Sequence, residues 1–201
     1  NNDVIIDLSE IGNELLTLYN RFPYLGKFHK IRHQRLNEIA NEKKTDKGNS
    51  YLCAHNYVIY YENIFNYFYN VRNSGTVDLL EIGLNRDHNK NIPSLDMWNI
   101  YTNSKIKLYG FDIEPSFLEY NGKKENLVIF CGDQSKEKDL QQLKNYKYDI
   151  IIDDGYHASK HQQISFKILW ETIKSGGCYI IEDLHWQPEH ENCIKTKTLL
   201  R

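Results

Sequence analysis

Two hundred and one residues, 40% hydrophobic and 26% charged, suffice for one globular domain with a core of its own. A formal net charge of -2 excludes a nucleic-acid surface built from bulk charge, so no nucleic-acid partner is expected. No run approaches the roughly 20 apolar residues that cross a bilayer, and the opening NNDVIID is no secretion signal. Cys53, Cys131, Cys178 and Cys193 are scattered without any metal-site spacing and read as reduced thiols. The expectation is a cytoplasmic protein without a membrane span. Because the first residue is Asn and not Met, the chain is expected to be a piece of a longer polypeptide.

In chain order, the first third reads as helical. IGNELLTLYNRF has an apolar rhythm, KFHKIRHQRLNEIANEKK is basic, and HNYVIYYENIFNYFYNV carries aromatics near helical spacing. The last run is expected to pack as a buried helix. KKTDKGNSY, a polar turn, separates it from the second run. Residues 1–75 are thus expected to form a helical segment leading into a core at 76–201.

From Val77 the pattern changes. VDLLEIG, IKLYGFDI, LVIFCGD, YDIIIDD and CYIIEDL read as strands; LDMWNIYTN, SFLEYN, KDLQQLKNY and HQQISFKILWETIK read as the helices between them. Alternation at this spacing implies βαβ units and a parallel sheet covered on both faces, an α/β, doubly wound fold. Ligands bind such sheets beyond the carboxyl ends of the strands, near the point where strand order reverses. Here those ends carry Glu81, Asp112, Asp133, Asp153 with Asp154, and Glu182 with Asp183, so all five strands finish in carboxylates.

The turn after the first of these strands, EIGLNRDHNKNIPS, contains Gly83 alone. It lacks the G-x-G-x-x-G cradle of a dinucleotide site. A cofactor without phosphates needs no cradle, and S-adenosylmethionine is the common one at this edge. Asp112 is then placed to accept from ribose hydroxyls, and Asp133 with Gln134 to meet an adenine amino group. Helix capping is the alternative for both acids, Asp112 before Pro115 and Asp133 before a helix at Lys136.

Together LLEIG, YGFDIEP, GDQS, YDIIIDDGYH and SGGCYIIEDLHW resemble the class I S-adenosylmethionine-dependent methyltransferases. More narrowly, they are similar to metal-dependent sugar O-methyltransferases of macrolide tailoring and to the related group described as cephalosporin hydroxylases. TDKG followed by HNYVIYYENIF extends the resemblance to roughly residues 45 to 190. It implies a Rossmann-like core with Glu81, Gly83 and Asp153 also at the cofactor, Asp153 toward its methionine end, and two further strands beyond residue 201. It also implies a homo-oligomer, and a further domain in a full-length chain. One departure is the loop LNRDHNKNIP between Gly83 and Ser94, longer than in relatives and without glycine.

The fourth and fifth strands are expected to be neighbours, about 4.8 Å apart, so their terminal carboxylates converge. Asp154, Glu182 and Asp183 then offer three hard oxygen ligands suited to Mg²⁺, which also relieves their mutual repulsion. Capping of the following turns is the alternative. The resemblance implies that His157, three residues after Asp154, is the general base, with Asp154 as the fallback. His185 and Trp186 are candidates for a substrate wall, and Lys47 with Asp46 for a lid. The expected reaction is methyl transfer from S-adenosylmethionine, with Mg²⁺, to a hydroxyl of a sugar or glycoconjugate, a small-molecule or glycan substrate. A metal-dependent hydroxylase-like enzyme and a catalytically inactive module stand as alternatives.

Overall fold

The computed structural model describes residues 4–7, 33–50, 55–85, 91–186, 188 and 191–200. Two compact units result: Asn1–Ser9, Asp78–Asn91 and Lys107–Arg201 make one, Glu10–Val77 and Ile92–Ile106 the other. The second unit therefore includes a segment that follows the expected boundary at residue 75. No helix among the described residues is long and apolar enough to cross a membrane.

A six-stranded sheet organises the first unit. Its strands are β1 (Val4–Asp7), β2 (Val77–Ile82), β3 (Ile106–Asp112), β4 (Leu127–Cys131), β5 (Tyr148–Asp153) and β6 (Ile173–Ile181), in the order β1-β6-β5-β2-β3-β4. The β1–β6, β6–β5, β5–β2 and β3–β4 pairings are all parallel. Every residue of β5 is buried, as a central strand covered on both faces requires. Leu80, Ile82, Tyr109, Phe111, Ile151 and Tyr179 belong to one core cluster with Leu140 of α4 (Glu137–Leu140) and with Ile168 and Leu169 of α5 (Ser159–Leu169).

Three local details depart from the sequence reading. The helix expected over HQQISFKILWETIK stops at Leu169; Trp170–Thr172 is a 3-10 turn, and Ile173 and Lys174 already lie in β6. Lys174 is fixed there because its ammonium donates to Asp149 at 2.8 Å and also to Asp78. SFLEYN forms a single 3-10 turn, Pro115–Tyr120. It ends where the Asn121 side chain accepts from the Ile129 N–H at 2.7 Å and donates to the Ile129 carbonyl at 2.9 Å. An amide thus stands in for a neighbouring strand along β4, the last strand on this side among the described residues. At the other edge, Val4–Asp7 pairs with β6 from Val4↔Cys178 to Asp7↔Ile181. From sequence that edge is expected to be completed by strands beyond residue 201 or hidden by a partner, and the helical reading of the first third passes over this short β-branched run.

The helical unit contains α1 (His33–Lys43), α2 (Val58–Asn66), a π-helical turn at Tyr67–Val71, and α3 (Pro93–Tyr101). Its aromatic run packs as core. Tyr61 and Phe65 lie 4.7 and 5.4 Å from the Trp98 ring, and Trp98 is fully buried. These contacts, made by α3, group residues 92–106 with the helices. The TDKG turn is stitched to the start of α2: the Asp46 and Lys47 carbonyls accept from the N–H groups of His55 and Val58 at 2.7 and 3.1 Å. The helix expected at IGNELLTLYNRF lies outside the described residues.

Candidate active site

Chain direction across the sheet reverses between β2 and β5. Strands run outward from β2 to β3 and β4, and the chain then returns to place β5 and β6 on the other side. The C-terminal ends of β2 and β5 therefore bound the crevice in which a ligand of this fold lies. Ile82 is paired with Asp153, and the Asp154 N–H donates to the Ile82 carbonyl at 2.9 Å.

Gly83 makes this junction sterically feasible. Its φ is +84°, and a Cβ on it would stand 2.2 Å from the Asp154 carbonyl oxygen. Its N–H donates to the Phe111 carbonyl at 2.9 Å. The next N–H, of Leu84, donates to Asp112 Oδ2 at 2.7 Å, and that of Glu114 to Asp112 Oδ1 at 2.9 Å. Asp112 thus ties the ends of β2 and β3 together. Burial raises its pKa against these backbone donors. Glu81 lies in β2 opposite Ile152 with its side chain fully buried.

Asp133 is a turn cap. Its Oδ1 accepts from Ser135 N–H at 2.9 Å and Ser135 hydroxyl at 2.7 Å, and Lys136 Nζ lies 2.9 Å from Oδ2. The Ser135 hydroxyl, then Lys136 and the Ser135 N–H, hold its pKa down at about 2. Gln134 turns inward. Its Nε2 donates to Asp153 Oδ1 at 2.7 Å and Ser165 Oγ at 2.8 Å, in the interior. Asp153 is wholly buried and also accepts from the Tyr179 hydroxyl at 3.2 Å. The sequence had put Gln134 at adenine and Asp153 near methionine. In the fold their polar atoms serve each other, because α5 closes over them.

Past β5 the chain makes the turn Asp154–Gly155–Tyr156–His157. Asp154, His157 and Asp183 each offer a ligand atom within 4.8 Å of the others. His157 Nε2 lies 3.6 Å from Asp183 Oδ2. Both His157 and Asp183 have positive φ, 60° and 54°, which turns the chain sharply at each of them. Glu182 is buried, its N–H donating to the Asp153 carbonyl at 3.0 Å, and it does not enter this cluster. Both residues lie past the end of β6, and the left-handed backbone at Asp183 sets its side chain on a different course from that of Glu182.

Two carboxylates held this close repel unless a cation lies between them. Mg²⁺ binds through one or two carboxylates and keeps its other positions for water or substrate oxygens, and this donor set fits that demand. Trp186, exposed, meets His157 edge-on at 5.8 Å between ring centres. His185 is also exposed. Tyr156, 62% exposed beside His157, was not singled out from the sequence; neither were Tyr179 and Ser165. A signal for Ser165 existed: Ser159, Gln162 and Ser165 recur every three residues, and all three are buried. Part of the glycine-free loop after Gly83, residues 86–90, lies outside the described residues.

A parallel sheet of this order is Rossmann-like, and the solved structures it matches are methyltransferases. Within that class the homologues of this chain are sugar O-methyltransferases of macrolide and tetracenomycin antibiotics. Demethylmacrocin O-methyltransferase of Streptomyces fradiae is 31% identical over 153 residues, 74% of this chain and 36% of that protein. The 8-demethyl-8-(2-methoxy-alpha-L-rhamnosyl)-tetracenomycin-C 3'-O-methyltransferase of Streptomyces olivaceus is 31% identical over 112 residues, 54% of this chain and 28% of that protein. Among solved structures, the MycE methyltransferase in complex with Mg, SAH and mycinamycin VI matches with a TM-score of 0.62 and 27% identity, over 75% of this chain and 39% of that one. The chain thus spans about a third of the length of the relatives it matches. No family model matches it.

Proposed function

We propose that this chain carries the donor- and metal-binding core of an S-adenosylmethionine- and Mg²⁺-dependent O-methyltransferase acting on a hydroxyl of a sugar or glycoconjugate. The observation that carries this reading is the meeting of Asp154, His157 and Asp183 at the sheet's reversal point. Similarity to enzymes named as O-methyltransferases of demethylmacrocin and of a rhamnosyl tetracenomycin, and to one solved with Mg and SAH, supports the substrate class and both cofactors.

Asp154 and Asp183 are the groups that would hold the metal; Glu182, buried away from them, would back the site. When bound, Mg²⁺ supplies Lewis acidity that makes a sugar hydroxyl easier to ionise. Asp112, which joins the end of β3 to Leu84 just past Gly83, is the carboxylate that would meet a ribose of the donor. His157, 20% exposed in its side chain and already facing Asp183, takes the hydroxyl proton as the oxygen–methyl bond forms and the methyl–sulfur bond breaks. Its Nδ1 is buried without a hydrogen-bond partner among the described residues, so the ring is held by packing, including Trp186.

The test is transfer of labelled methyl from S-adenosylmethionine to rhamnosyl or related deoxysugar glycosides, with Mg²⁺ and with EDTA. His157→Ala should lower turnover about 10²–10⁴-fold while S-adenosylhomocysteine affinity is kept. Unchanged turnover in that variant would remove the imidazole from the mechanism, and failure of the unmodified protein to bind S-adenosylmethionine would remove the reading.

A further inference from the structure

Four elements converge behind the Asp154–His157 turn. Gln134 follows β4, Asp153 ends β5, Ser165 lies in α5 and Tyr179 in β6. The orientation of the Gln134 amide is fixed by its partners. A backbone N–H can only donate, so the atom 3.4 Å from the Tyr156 N–H must be the carbonyl Oε1. Nε2 is left to donate to Asp153 and Ser165. The Ser165 hydroxyl can then accept from Gln134 while donating to the His161 carbonyl at 2.7 Å. Tyr179, raised well above the usual phenol range by burial and then by Asp153, remains a donor to that carboxylate. Gly155 leaves room for this arrangement, since a Cβ there would lie 2.3 Å from Gln134 Oε1.

We infer that Gln134 is a positioning residue for the metal-binding turn: its amide clamps Tyr156 from one end and the buried Asp153 from the other, fixing where Asp154 and His157 emerge. Tyr179 and Ser165 complete the clamp. The inference rests on the functional reading above for what the turn does, but not for how it is held. Asp153 is the anchor because its backbone is paired on both sides, to Ile82 and to Ile181. A turn tied by side chain to that residue inherits the rigidity of the sheet centre. Groups behind the ligands of a metal site commonly set its affinity by 10- to 100-fold.

The experiment compares the unmodified chain with Gln134→Met, which keeps volume and removes both the donor and the acceptor, using Mn²⁺ as probe. Hydrogen exchange is read on peptides covering residues 154–157, and Mn²⁺ affinity by calorimetry, with the urea midpoint measured in parallel. Exchange in the turn should rise at least tenfold, and Mn²⁺ binding weaken at least tenfold, in a protein that still unfolds cooperatively. Tyr179→Phe, which deletes one hydroxyl from the same clamp, should give smaller changes in the same direction and serves if the first variant does not fold. Gln134→Met with unchanged exchange at 154–157 overturns the inference, as does unchanged Mn²⁺ affinity in a variant merely less stable. An unmodified chain that binds no Mn²⁺ counts against the functional reading instead, and the exchange result still decides the inference.

Discussion

Gly83 and Asp154 meet backbone to backbone across the sheet's reversal: the position a Gly83 Cβ would take is 2.2 Å from the Asp154 carbonyl oxygen. The contact joins the end of β2 to the turn after β5, with no side chain in between. Gly83→Ala adds a backbone overlap to a left-handed conformation that costs an L-residue about 1–2 kcal/mol by itself. A total loss of about 2–4 kcal/mol is expected in urea unfolding. An alanine variant as stable as the original would mean that the two strand ends part easily.

Divalent metal should stabilise the chain through Asp154 and Asp183. Mg²⁺ at a hundredfold excess over its dissociation constant adds about 2.7 kcal/mol by mass action. Asp183→Asn should abolish that gain. In EDTA the same variant should melt no lower than the original, because one of two neighbouring like charges has gone. An undiminished metal-dependent rise in Tm would show that the ion binds elsewhere.

In the helical unit, Trp98 lies against Tyr61 and Phe65 and is fully buried. Trp98→Ala opens a large cavity and should cost about 3–5 kcal/mol. Denaturant unfolding followed by circular dichroism measures it, and a loss below about 1 kcal/mol would contradict the packing described.

Acid should unfold this protein through two depressed carboxylates. For Glu191, burial acts upward but is outweighed by the Lys160 and Ser159 N–H groups and by Lys195, leaving it at about 2; Asp133 also lies at about 2. Both pKa values are lower folded than unfolded, so the stability they confer is fully present above about pH 4.5 and is lost as pH falls toward 2. Glu191→Gln should flatten the dependence of unfolding free energy on pH in that window and leave its slope near neutrality unchanged. A variant with the original acid slope would exclude Glu191 as a source of it.

Much of the sheet was legible because central parallel strands announce themselves. YDIIID is buried along its whole length and could be nothing amphipathic. The acids at the strand ends were equally visible, and strand adjacency brought Asp154 and Asp183 to one place on paper. VIID at the start was not legible, since four β-branched and acidic residues are too few to outweigh the helical rhythm that follows. Nor was the end of α5: Leu169 to Ile173 keeps an apolar spacing that helix and strand share, and the hold of Asp78 and Asp149 on Lys174 is a contact across the sheet.

By itself the sequence determined the alternation of strand and helix, and with it the edge at which carboxylates collect, because period and burial are local properties of the chain. Only the tertiary structure decided which acids meet. Glu182 and Asp183 are neighbours of similar chemistry, and a left-handed backbone at Asp183 selects between them. Gln134 and Asp153 read as cofactor residues until α5 and β6 close over them, and a polar side chain enclosed in this way must bond to what encloses it.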